Sequence, residues 1–253
     1  MNDEMLTFRP VDKTLWSAPK VDLDEDDVHV WGVSLEAEPD TVEQCRQYLS
    51  PEESLRAHRL TSEQQRGHFV VAHGALRVVL SLYTDCGPRE LSFHNLSSGK
   101  PMLHGTDVSV NRIRFNLSHS HGRALIAVSK DREVGVDLEK IRADRDVTAL
   151  AARFFAPQEQ AAIMQAGMSA KHWIFSRIWV AKEAVMKARG SGLTFPLDQH
   201  RIELSGDGSA CCLINEDNPL DTAPPAIQFL PLEEGWVGAV AAEGSGWRVT
   251  LCT

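Results

Sequence analysis

Apolar residues recur at two different spacings along this chain, and the pattern restarts near residue 130. Residues 28–35 (VHVWGVSL) alternate as a strand does. Residues 40–50 carry a short helical pattern that stops before Pro51. Ser62 and Gln65 then fit an S-x-x-Q capping box. Phe69, Ala72, Leu76, Val79, Leu80 and Tyr83 follow at helical spacing, which predicts one long helix closed by TDCGP. Residues 97–101 (SSGKP) read as a turn, and 113–120 and 124–130 as two strands.

The second half begins with another strand, 134–141 (VGVDLEKI). A helix is predicted from Pro157, a first-turn residue by its fixed φ. A second long helix covers 169–189 and is stopped by Gly190 and Gly192. The tail alternates again at 200–204, 210–214, 226–230, 235–243 and 247–253. Residues 244–246 (GSG) read as a hairpin turn between the last two strands. Each half therefore has one long helix and several strands. The prediction is an α+β protein of two similar lobes, 1–130 and 131–253, each with its helix packed on a small, mainly antiparallel sheet. No tight sequence repeat relates the halves.

The chain has 253 residues, 43% of them hydrophobic, enough to bury a real core. Its uncharged runs, the apolar GWVGAVAA among them, are too short to span a bilayer. The start is polar and lacks the apolar core of a secretory leader. Five cysteines, an odd number without C-x-x-C spacing, predict reduced thiols in the cytoplasm rather than a zinc site. A net charge of −9 argues against general nucleic-acid binding. The charge is uneven, however: residues 1–30 are acidic and 141–190 basic. The basic stretch is either an anion-facing surface or an ordinary solvated helix face.

Four groups have chemical potential. Asp137 and Glu139 sit two apart in an apolar strand, so they share one face. Such a pair is costly unless water or a cation neutralises it, and magnesium suits an all-oxygen set. Glu183 and Lys187 are i,i+4 on the second long helix, either as a surface ion pair or as a metal ligand and a phosphate-holding ammonium. Ser118 and His119, in FNLSHSHG, end a strand and can donate to an anion. Ser98, Gly99 and Lys100 form a turn where the backbone can approach a ligand closely, although the P-loop spacing is absent.

In order, the chain runs GKP, FNLSHS, GVDLE, then WVAKEAVMKARGSGL. With LSPEE, FVVAHGALR and RFFAPQE between and before them, these motifs resemble the 4′-phosphopantetheinyl transferases of the Sfp type. The pairing of G-[IV]-D-[IL]-E with W-x-x-K-E-x-x-x-K carries most of the resemblance.

The resemblance implies a monomeric pseudo-dimer of two lobes with coenzyme A between them. It implies holo-[acyl-carrier-protein] synthase activity: magnesium-dependent transfer of phosphopantetheine to a serine of an apo acyl or peptidyl carrier protein, releasing 3′,5′-ADP. A catalytically impaired relative that only binds coenzyme A or the carrier is the alternative. By motif, Asp137, Glu139 and Glu183 match the magnesium ligands, and Lys187 and His119 the groups on the coenzyme A phosphates. Ser118 accompanies His119, and Ser98, Gly99 and Lys100 match the turn at the nucleotide end. Glu183, directly or through a water, is the candidate base. The first lobe lacks the family's usual basic residues after SPEE, leaving Arg56, Arg66 and His68 as candidates for the 3′-phosphate.

Overall fold

A computed structural model describes residues 5–192, 196–204, 209–214 and 225–252. The first half runs α1 (Lys13–Trp16), β1 (Asp27–Ser34), α2 (Pro39–Arg46), α3 (Pro51–Arg59) and α4 (Glu63–Ser81). It continues through β2 (Ser92–Asn95), β3 (Pro101–His104), α5 (Val108–Arg112), β4 (Ile113–Ser120) and β5 (Arg123–Lys130). The second half repeats the opening order with β6 (Val134–Lys140), α6 (Val147–Phe154), α7 (Pro157–Gln165) and α8 (Met168–Arg189). It ends with β7 (His200–Leu204), β8 (Ser209–Ile214), β9 (Ala226–Phe229), β10 (Trp236–Ala242) and β11 (Arg248–Cys252). A strand followed by three helices, the last one long, thus occurs twice, and the fold is α+β.

Two sheets carry the structure, in the orders β11-β1-β5-β4 and β6-β10-β9-β8-β7. Among the described residues every ladder in these sheets is antiparallel except β1 with β11. Residues 244–246 are not a hairpin turn. The chain leaves β10 in one sheet there and enters β11 in the other, because β11 finds its partner in β1. The SSGKP turn closes a hairpin of its own, β2–β3.

The two sheets pack back to back. Val28 and Val30 of β1, Leu125 and Ala127 of β5, and Val134, Val136 and Leu138 of β6 fill the space between them. The alternate residues face the helices. Trp31 and Val33 pack with α4, and Ala239 and Ala241 of β10 pack with α8. Burial on both faces explains why β1, β5 and β6 read as nearly continuous apolar runs. It also fixes the outlook of Asp137 and Glu139. With Val134, Val136 and Leu138 turned to the other sheet, Gly135, Asp137 and Glu139 must face α8.

Gly135 decides how close α8 comes. A Cβ there would lie 2.1 Å from the Ala184 carbonyl oxygen and 2.3 Å from the Ala188 nitrogen. Only glycine lets strand and helix backbones touch at this point. Gly190 ends α8 in the left-handed conformation, φ 61°, as the sequence predicts. No helix among the described residues is long and apolar enough to cross a membrane. Cys45, Cys86 and Cys252 are free thiols; Cys211 and Cys212 have no described side chains.

Candidate active site

β4 is the edge of the first sheet and β6 the edge of the second. They lie side by side, joined by side chains rather than by a ladder. Asn116 accepts the Val136 amide at 2.9 Å. Ser118 donates to Asp137 Oδ1 at 2.8 Å, and Ser120 donates to Glu139 Oε2 at 3.4 Å. The seam between the two sheets is therefore polar, and α8 lies over it.

From α8, Lys187 reaches down into this seam. Its ammonium donates to Asp137 Oδ1 at 2.6 Å, to the Ser118 hydroxyl at 3.1 Å and to the Val136 carbonyl at 3.2 Å. Asp137 is 5% exposed, and its second oxygen, Oδ2, is buried with no hydrogen-bond partner. Glu183, one turn before Lys187, is pushed up to about 7 by burial first and then by the charges of Asp137 and Glu139. Glu139 is also raised, by burial and then by Asp137. His119 is held below its ordinary value by desolvation in the cleft, then by the charges of His73, Lys187 and His68. The structure thus brings Asp137, Glu139, Glu183, Lys187, Ser118 and His119 to one place.

Three neighbouring carboxylates, two of them raised by burial and by Asp137, and one with an unpartnered buried oxygen, form a donor set suited to a small hard cation. Asp137 Oδ2, Glu139 and Glu183 could hold it. Among the described residues no three His, Cys, Asp or Glu side chains are close enough to enclose an ion by themselves. The three carboxylates would therefore have to draw closer to hold an ion, with phosphate or water completing the oxygen set that magnesium prefers.

Three hollows adjoin the seam. The largest, about 750 Å³, lies in the first lobe against Arg56, His73, Arg77, Arg89, Phe93 and Gly99, among others. A second, about 410 Å³, lies beside Glu183 between Phe154, Trp179, Met186, Pro196 and Leu197. A crevice of about 180 Å³ joins Ser98, Gly99 and Lys100 to Met186 and Lys187.

The first-lobe candidates separate. Arg56 lines the large cavity, its guanidinium 5.4 Å from the Phe69 ring centroid. Arg66 is not among the cavity's lining residues: it donates to the Leu60 carbonyl at 2.9 Å. His68 is paired with Glu36 at 3.0 Å. Sequence reasoning missed His73, Arg77 and Arg89. Glu53 positions two of them, taking Arg77 at 2.8 Å and His73 at 3.2 Å, while Arg89 donates to the Gln47 side chain at 3.1 Å. The i,i+4 spacing of His73 and Arg77 on α4 was the available signal. Lys100 lines the crevice with its stem, while its ammonium is turned into the protein, to Glu133, Val134 and Ala188.

A further buried pair stands behind the site. Lys182 and Glu159 meet at 2.9 Å with side chains 1% and 2% exposed. Lys182 also donates to the carbonyls of Leu197 and His200, and Glu159 accepts from the amides of Ala156 and Ile202. One ion pair thus ties α7, α8 and the start of β7 together. It also fixes Leu197, a wall of the hollow beside Glu183.

Residues 133–241 match the model of the 4′-phosphopantetheinyl transferase superfamily. The chain is 34% identical over 232 residues to 4′-phosphopantetheinyl transferase HetI of Nostoc sp., covering 91% of this chain and 93% of that protein. It is 25% identical over 200 residues to 4′-phosphopantetheinyl transferase Sfp of Bacillus subtilis, covering 79% and 84%. The crystal structure of holo-[acyl-carrier-protein] synthase from Neisseria meningitidis aligns with 45% of this chain and 98% of that one, at 21% identity and a TM-score of 0.38. On the extent of the HetI match, this chain belongs to the 4′-phosphopantetheinyl transferase superfamily, as an enzyme of the Sfp type.

Proposed function

We propose that this enzyme, acting as a cytoplasmic monomer, moves 4′-phosphopantetheine from coenzyme A to a serine hydroxyl of an apo carrier protein, with magnesium, and releases 3′,5′-ADP. The observation that carries the reading is the seam itself: three crowded carboxylates and a lysine at the junction of the lobes, between two hollows of different character. The large cavity has arginines for the 3′-phosphate and apolar walls for a nucleoside. Arg56 and Arg89 are the cations there, while Glu53 engages both Arg77 and His73. The smaller hollow, mostly apolar and beside Glu183, suits the uncharged pantetheine arm. The pyrophosphate between them then lies over Asp137 and Lys187.

The chemistry needs charge control, because both the diphosphate and its leaving group are anionic. Asp137, Glu139 and Glu183 would hold magnesium, which would supply neutralising charge at the pyrophosphate. Lys187 offers its ammonium to a phosphate oxygen, with Ser118 and His119 as further donors. Glu183, directly or through a water, accepts the serine proton. The serine oxygen forms a bond to the phosphorus bearing the pantetheine arm. The bond from that phosphorus to the ADP oxygen breaks, and ADP takes the electron pair. Trp179, Phe154 and Leu197 shelter the arm from water.

Mass spectrometry tests this directly. With coenzyme A and magnesium, an apo carrier from a panel should gain about 340 Da, the mass of the transferred group in this phosphoryl-transfer chemistry. An equal amount of 3′,5′-ADP should appear. Coenzyme A binding without a mass gain on any carrier would replace the proposal with the impaired-relative reading.

A further inference from the structure

Lys100 sits in the turn expected to meet the nucleotide, yet its side chain is 6% exposed. Its ammonium donates to Glu133 Oε2 at 2.7 Å, to the Ala188 carbonyl at 3.0 Å and to the Val134 carbonyl at 3.1 Å. An ammonium has three protons, and all three are used. Two of the acceptors belong to the entry of β6, and the third to the last turn of α8. Arg114 of β4 holds the other oxygen of Glu133 at 2.9 Å. A cation at a helix C-terminus also meets the negative end of the helix dipole.

The surrounding backbone is shaped for this contact. Gly190 and Gly192 follow α8 in the left-handed region. A Cβ on Gly190 would stand 3.2 Å from Lys100 Cδ, and one on Gly192 would stand 3.3 Å from the Ser98 carbonyl oxygen. The turn therefore rests on the glycines that end α8. The hairpin is closed behind it by Leu96 and Lys100, whose amide and carbonyl bond at 2.9 Å. What the turn shows to the large cavity is Gly99 and Pro101, not the lysine charge.

We infer that Lys100 is a positioning residue: it ties the nucleotide-binding turn of the first lobe to the end of α8 and the start of β6, and so sets the turn against Lys187 and Asp137. This rests on the function proposed above. A nucleotide ligand and a tether make opposite demands on Glu133, which is Lys100's partner and does not line the nucleotide cavity. For a tether, removing either partner misaligns the reacting centre. For a ligand, only Lys100 matters.

The test compares Lys100→Met, Glu133→Ala and the double variant in steady-state transfer to a carrier. Hydrogen exchange is followed at residues 96–101 and 186–192. A tether predicts that each single change lowers kcat about tenfold and shifts the KM for coenzyme A less than threefold, with the double no worse than the poorer single. Exchange should rise in both segments together. The inference is overturned if Lys100→Met raises the KM with kcat unchanged while Glu133→Ala behaves as wild type. It is equally overturned if exchange at 186–192 does not change. The exchange measurement needs no turnover, so it judges the tether even if the wild-type chain transfers nothing. Should Lys100→Met not fold, Glu133→Ala decides, since it leaves the lysine in place.

Discussion

The two halves use one plan, and comparing them shows how an apolar strand–helix seam differs from an acidic one. In each, a short helix opens with proline and carries a glutamate in its first turn: Pro51 and Glu53, then Pro157 and Glu159. Each glutamate accepts its own helix's N-cap amide and a buried cation from the following long helix, Arg77 or Lys182. The next residue is Val78 in α4 and Glu183 in α8. The strands differ in the same way. β1 turns Trp31 and Val33 to its helix, whereas β6 turns Gly135, Asp137 and Glu139. The first lobe fills this seam with side chains. The second empties it with a glycine, brings the backbones into contact and lines the space with carboxylates.

The largest expected effect tests the shared device. Lys182→Met leaves a sealed glutamate unpaired and should cost about 3–5 kcal/mol in urea unfolding. Arg77→Met should cost less, because Glu53 is 12% exposed and keeps His73. Equal costs would mean that the two pairs are equally buried in practice.

Gly135→Ala forces β6 and α8 apart. It should cost about 1–3 kcal/mol in thermal stability, as overpacking does. Transfer should fall by at least about tenfold, since one ångström of misplacement matters at a reacting centre. The contrasting change is Gly67→Ala in α4, where a Cβ would meet nothing within 4 Å. There the gain should be about 0.5–1 kcal/mol, from helix propensity, with transfer unchanged.

A further contrast is in pH. Glu183 is raised in the folded protein from 4.5 to about 7, so the folded state holds its proton more tightly than the unfolded chain. Its contribution is therefore lost as pH rises between those values. In chelator, wild type should lose stability relative to Glu183→Gln from pH 5 to 7, measured by urea melts. Magnesium with coenzyme A should remove the difference.

Much of this second seam is legible in the sequence. A strand alternates with period two, so Asp137 and Glu139 had to share a face, and α8 follows from its apolar spacing and glycine stop. Element types with strong periodicity, such as α4, β4 and β5, were equally plain. α3 was not, because PEESLRAHR contributes only Ala57 to the buried set and shows no apolar stripe. The pairing of β11 with β1 was hidden, because it joins positions far apart in sequence and a glycine turn looks the same at a hairpin and at a crossover. For Lys100, Arg66 and His68, residue type suggested anion contacts. Their local partners, respectively Glu133 with two carbonyls, the Leu60 carbonyl and Glu36, are tertiary facts that charge alone does not reveal.

The central claim is that the carboxylates of β6 and α8 act as one divalent-cation site when the substrate pyrophosphate is present. Calorimetric titration of magnesium into the protein saturated with coenzyme A tests it most directly. The account predicts one magnesium per chain for wild type and none for a folded Asp137→Asn variant, with transfer abolished by chelator. Identical isotherms for the two proteins, or full transfer in chelator, would contradict it.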